Sequence, residues 1–272
     1  MLPIREGAIV IATAVAAYTD HKTGFIYDYI TYPLIALGII LNVWEQNWLG
    51  LALGAIVFVL GYALYYLGKV GGGDIKLFAG IATTLPSYDG GIFIISAGIL
   101  AALGAMVFLS AYYCVKYLRE NGIEYDYNRE GIKRAIFLLL IITAYFSVLL
   151  GTGFVSKEYV AAFALPLLLG TIFLALEKGI RKKFFLKKIL VKDVEEDEIV
   201  AFEFMPPEQA KKIRENLKGI IGPKEASKLS KMGIREMMVY RDLPRFGVFI
   251  FLGVVMALLF PGFGEFLAGG GL

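Results

Sequence analysis

Residues 49–68 read LGLALGAIVFVLGYALYYLG, and residues 71–77 follow as GGGDIKL. The first stretch carries no charged side chain and matches the about 20 helical residues needed to cross a hydrocarbon core about 30 Å thick. The second opens a further apolar run with an aspartate. Working outward, comparable runs occur at 4–19, 30–44, 75–87, 91–117, 132–151, 159–176 and 246–260. The runs at 30–44, 75–87 and 246–260 are short, whereas 91–117 must tilt or project beyond the bilayer. Composition agrees: 58% of the 272 residues are hydrophobic even before 31 glycines are added, and soluble domains reach about 45–50% with glycine included. Such an excess has to face lipid. The expected fold class is therefore an all-α polytopic membrane protein with about eight candidate transmembrane helices.

Charge excludes other classes. A net charge of +3 with 19% charged residues fits neither an acidic disordered chain nor a nucleic-acid binder. One cysteine, Cys114, and one histidine, His21, build neither a disulfide framework nor a Cys- or His-rich metal site. Loops on one side of the path carry Lys22, Lys69, Lys116, Arg119, Arg129, Lys133 and Arg134, and then the whole stretch from Glu177 to Arg245. Loops on the other side carry Glu45, Asp89, Lys157 and Glu158, with Arg5 the one basic residue near that side's start. The positive-inside rule makes the first side cytoplasmic and puts both termini outside. Ala14-Val15-Ala16 resembles a signal-cleavage site, but the preceding residues are not net positive, so the first run is expected to remain as a helix.

Residues 177–245 contain 17 Lys/Arg and 12 Asp/Glu, which marks a cytoplasmic α+β insertion between a membrane domain at 1–176 and a last helix and tail at 246–272. A short strand is expected around Ile199, Phe202 and Phe204, ended by Pro206-Pro207. Amphipathic helices are expected over Pro207–Leu217, stopped by Gly219, and over Pro223–Leu229, with a break at Gly233. Arg181, Lys182, Lys183, Lys187 and Lys188 lie just beyond a span, where they anchor topology and can meet anionic lipid. No fixed-period repeat of the kind expected for an inverted-repeat transporter is evident. Gly54, Gly61 and Gly68 recur every seven residues and offer one face for close helix contact.

The informative positions are two carboxylates. Asp20 closes the first run and Asp74 opens the fourth. The chain crosses the membrane twice between them, so both sit at one face. Two carboxyl groups brought together can share a proton, one activating water while the other, protonated, polarises a peptide carbonyl. Gly71, Gly72 and Gly73 permit positive φ and close backbone approach, and they leave N–H groups free at a helix N-terminus. A phosphate loop would need a different glycine spacing followed by Lys and Ser/Thr. Neither a metal nor another cofactor is implied by two carboxylates without neighbouring His or Cys, with Mg²⁺ between paired aspartates left open.

These residues resemble a known family. Tyr18-Thr19-Asp20-His21-Lys22-Thr23-Gly24-Phe25-Ile26 is similar to the first aspartate motif of the type IV prepilin and preflagellin peptidases, and Gly71-Gly72-Gly73-Asp74-Ile75-Lys76-Leu77 to their Gly-x-Gly-Asp motif. The resemblance covers roughly residues 1–118, with an archaeal-like subtype suggested by the later charged insertion. It implies a GxGD-type aspartic protease helix bundle with Asp20 and Asp74 as the catalytic pair. It further implies removal of short leaders from prepilin-like or archaellin precursors at the cytoplasmic border of the membrane. Gly71, Gly72, Gly73, Lys76 and Lys22 would support the motif or substrate access. The expected partners are those precursors and membrane lipids, with no nucleic acid. One departure stands out: Ile26-Tyr27-Asp28 replaces the family's usual Ile-Pro followed by Asn or Asp, and Asp28 is expected to cap the second helix. Two other readings of the carboxylates stay open, an ion- or proton-coupled transporter and a non-catalytic assembly scaffold.

Overall fold

A computed structural model describes residues 2–67, 70–153, 157–195, 198–215, 217 and 219–261. The apolar runs become helices: α1 (Leu2–Thr23), α2 (Asp28–Trp44), α3 (Trp48–Tyr66), α4 (Gly72–Thr84), α5 (Phe93–Asn121), α6 (Tyr125–Thr152) and α7 (Lys157–Ile180). Between α4 and α5 lies a two-strand hairpin, β1 (Ser87–Tyr88) and β2 (Gly91–Ile92). Its two-residue turn, Asp89-Gly90, has φ of 47° and 79°, the positive values that such a tight hairpin demands. Among the described residues five stretches are long and apolar enough to cross a membrane: α1, α3, α5, α6 and the segment Val160–Phe185 that continues α7. The 17 residues of α2 and 13 of α4 are shorter, since 13 residues of helix rise only about 20 Å. The chain is thus a largely helical, multi-span candidate membrane protein with a small strand-bearing insertion.

Helix faces explain the order of packing. Only 11% of the apolar window of α3 is buried, so most of that helix is left for lipid. Its glycines face inward: a methyl at Gly54 would overlap Thr83, and one at Gly61 would lie 2.5 Å from Ile75 Cγ2. The glycine stripe therefore seats α3 on α4, while Gly68 lies outside the described residues. On the other side of α4, Gly38 of α2 approaches the backbone of Thr84, where a methyl would sit 2.7 Å from its nitrogen.

At the end of α1 remote from Asp20, Arg5 is only 4% exposed. Its guanidinium donates to the Thr84 carbonyl, to Asn42 Oδ1 at 3.2 Å and to Glu45 Oε2 at 2.8 Å, and Asn42 donates to the Thr83 carbonyl at 2.7 Å. The isolated basic residue near the start of α1 is thereby neutralised, and it ties α1 to α2 and to the end of α4. Arg5→Met would leave these buried acceptors short of a donor and is expected to cost about 1–3 kcal/mol. Unfolding of purified protein in detergent measures this, and an unchanged midpoint would show the clasp to be dispensable.

The insertion is a four-stranded antiparallel sheet with two helices. Strands β3 (Leu186–Leu190), β4 (Glu198–Val200), β5 (Ile220–Ile221) and β6 (Glu236–Tyr240) lie in the order β3-β6-β4-β5. Helices α8 (Pro207–Arg214) and α9 (Pro223–Lys231) bury Ala210, Ile213, Ala226 and Leu229 against Val200, Ile221, Met237 and Val239. One expectation needs correction. Strand β4 ends at Val200, and Phe202–Phe204 is a single 3₁₀ turn after it, because the alternation breaks at the adjacent buried pair Val200 and Ala201. The basic run is also engaged within the protein: Lys187 pairs with Asp242, Lys188 with Glu236, Lys183 with Glu120, and Arg181 with Glu177 and Glu203. Its hydrogen bond to Lys187 holds the Asp242 carboxyl below the usual carboxylate range. A second apolar cluster seats the sheet on the helix ends, where Cys114 and Tyr117 of α5 and Ile180 of α7 meet Phe185, Ala201 and Tyr240.

After β6 the chain re-enters the bundle as α10 (Gly247–Leu259), 13 residues long. It is wedged between α1 and α5. A methyl at Gly253 would overlap Ala97 of α5, and Ile250 and Val254 join Ile9, Ala16, Leu77 and Ile81 in the core beside α1 and α4.

Candidate active site

Asp20 lies in the last turn of α1, whose end is set by Gly24. The Gly24 N–H donates to the Asp20 carbonyl at 2.8 Å, and φ of 82° at Gly24 turns the chain out of the helix. The Asp20 side chain is buried, 7% exposed. Its Oδ2 accepts a hydrogen bond of 2.8 Å from the backbone N–H of Gly247, the first residue of α10.

Asp74 is the third residue of α4, in a first turn whose unsatisfied N–H groups favour negative charge. It is partly buried. The backbone of Gly71, the residue preceding α4, hydrogen-bonds to its carboxyl group. Asp20 acts electrostatically on Asp74, so the first and fourth helices bring the two acids into range at one end of the bundle. A pair of this kind has the groups needed to activate a water and to polarise a carbonyl.

The glycine run works differently from the sequence expectation. Gly71 has φ of −70° and ψ of 144°, and none of Gly71, Gly72 and Gly73 adopts positive φ. Close approach is what Gly73 supplies: a methyl there would stand 2.9 Å from both Cβ and the carbonyl oxygen of Ile26. The neighbour at that position is the chain between α1 and α2, so the space is filled from within. At Gly72 a methyl would meet Tyr65 at an ordinary 3.5 Å.

Among the flanking residues, Lys76 pairs with Asp28 and lies 5.1 Å from the Tyr32 ring centroid, so its charge is directed to α2. Asp28 is the first residue of α2, so the N-cap position falls to Tyr27, which makes no side-chain cap hydrogen bond; the partner of Asp28 is the lysine. Lys22 is exposed, 5.9 Å from the Tyr18 ring centroid, and His21 is exposed beside it. Among the described residues no group of three His, Cys, Asp or Glu gathers to hold a metal ion.

Sequence reasoning missed the contribution of the segment leading into α10. The Arg245 guanidinium occupies the space where a Gly24 side chain would lie, Phe246 approaches Phe78 of α4 with ring centroids 6.4 Å apart, and Gly247 reaches Asp20. A backbone donor leaves no side-chain signature, and 227 positions separate it from its acceptor.

Comparison with known proteins places these elements. Residues 8–112 match the type IV leader peptidase family. The chain is also similar to a prepilin peptidase, EppA, of Methanothermobacter thermautotrophicus, 34% identical over 84 residues, 28% of this chain and 22% of that relative's length. No solved structure matches the chain significantly. The matched region runs from α1 into α5 and contains both acids with their flanking motifs, so the similarity to the type IV leader peptidase family covers the helices that carry the pair.

Proposed function

We propose that the protein is an aspartic endopeptidase that removes short leader peptides from prepilin-like or archaellin precursors. The observation that carries the reading is the convergence of Asp20 and Asp74 from two helices at one end of the bundle, inside the segment with family similarity. In the proposed reaction one carboxylate takes a proton from water, while the other, protonated, hydrogen-bonds to the scissile carbonyl and stabilises the tetrahedral oxyanion. Lys22, Lys76 and the glycine run flank the pair as supporting residues. The precursor must present an extended segment, since a helical carbonyl is already hydrogen-bonded and shielded.

Eight helices, α1 to α7 and α10, would form the membrane part, with the short α4 and α10 held inside the bundle. Residues 1–176 form its front and middle, 177–245 a separately folded insertion, and 246–272 the last helix and tail. The charge distribution supports a cytoplasmic position for the acids and the insertion. Two outcomes would separate a peptidase from a transporter: leader release by purified protein, and its loss in carboxamide variants. For the orientation, reporters fused after Lys133 or within the insertion are expected to read cytoplasmic and one after Gly90 external. An external insertion would overturn the proposed sidedness.

A further inference from the structure

The last helix contributes to the acid pair although it lies far outside the segment with family similarity. The chain leaves β6 at Tyr240 and, seven residues on, reaches Gly247. Three successive residues then touch both acid-bearing helices. Arg245 covers Gly24 at the end of α1, Phe246 packs on Phe78, one turn beyond Asp74 in α4, and Gly247 donates its N–H to Asp20 Oδ2 at 2.8 Å. Being the first residue of α10, Gly247 has an N–H without an acceptor inside its own helix, so Asp20 is what satisfies it in a buried setting. The absence of a side chain is required as well: a methyl at Gly247 would stand 3.0 Å from both Cβ and Oδ2 of Asp20.

The geometry points to Gly247 as a positioning residue, whose N–H fixes the orientation of the Asp20 carboxyl beside Asp74. This rests on the reading of Asp20 and Asp74 as the reacting pair. The charged groups on the surrounding elements are Asp74, the Asp28–Lys76 pair and Arg245, with His21 and Lys22 on the exposed side of α1 itself. The insertion is tethered directly to this contact by residues 241–246.

The test uses full-length protein in detergent or vesicles and a cleavable precursor. Gly247→Ala is expected to lower kcat/KM about tenfold with KM little changed, as for a displaced catalytic group. Gly253→Ala is the control, since it crowds α10 against α5 without approaching Asp20. It should lower stability and leave kcat of the folded enzyme little changed. If Gly247→Ala gives a wild-type rate, or loses rate through KM with kcat unchanged, while Asp20→Asn and Asp74→Asn are inactive, the positioning role is overturned and the peptidase reading stands. Cleavage by either Asn variant at the wild-type rate would instead overturn the reading of the pair, and the inference with it. Hydrogen exchange decides independently of how well Gly247→Ala folds. The Gly247 amide should exchange at least about tenfold faster in Asp20→Ala than in wild type or Asp74→Asn, and equal rates would overturn the proposal.

Discussion

Asp20→Asn and Asp74→Asn are each expected to lower kcat/KM for precursor cleavage by at least about a hundredfold while the protein still inserts and folds. Proton transfer by a positioned group contributes about 10²–10⁴, and the two acids act as one unit. The double variant should therefore be little worse than either single one. Asp28→Asn is the matched control. Its carboxylate pairs with Lys76 at a half-exposed position, where such a pair contributes about 0–1 kcal/mol, so most activity should remain. Initial rates on one purified precursor, normalised to folded enzyme, make the comparison. Independent, additive losses at Asp20 and Asp74 would argue that they do not share a reaction.

Gly73→Val should lower kcat/KM by at least about tenfold, a loss of about 1.4 kcal/mol of transition-state stabilisation. The reason lies inside the protein. The added Cβ would stand 2.9 Å from the Ile26 carbonyl oxygen, which is backbone and cannot rotate away, so α4 and the chain after Asp20 must separate. Asp74 is the next residue along and would move with its helix. Gly72→Ala should be far milder, because the nearest atom, on Tyr65, lies 3.5 Å from the new methyl. Equal losses at Gly72 and Gly73 would point to obstruction of the approaching peptide instead, the role that the sequence alone suggested for the run.

The approach of Asp20 to Asp74 was legible in the sequence because each sits in a local motif and because an even number of helices, α2 and α3, runs between them. The glycine stripe of α3 was legible through its period of seven, and α8 and α9 through Pro at their starts and apolar spacing. Three features were hidden, each for a physical reason. Lys187 and Lys188 occupy adjacent positions in β3, so a strand edge read as a juxtamembrane basic run. Strand β6 does alternate, burying Met237 and Val239, but it follows a short helix in a segment dominated by charge. The Gly247–Asp20 contact uses a backbone donor, and no pattern of side chains announces it. The interior of α4 and α10 also explains why short helices suffice there: both bury several residues against longer neighbours, so neither must present a full bilayer's length to lipid.

The central claim is that Asp20 and Asp74 together cleave a leader from a membrane-bound precursor. Its most direct test is reconstitution of wild type, Asp20→Asn and Asp74→Asn in vesicles with a panel of leader-bearing prepilin-like and archaellin precursors, with product masses read directly. The account predicts a discrete leader and a shortened precursor from wild type on at least one member of the panel, and intact precursor from both variants. Cleavage at the wild-type rate by either variant, or no cleavage of any precursor by folded wild type, would contradict it.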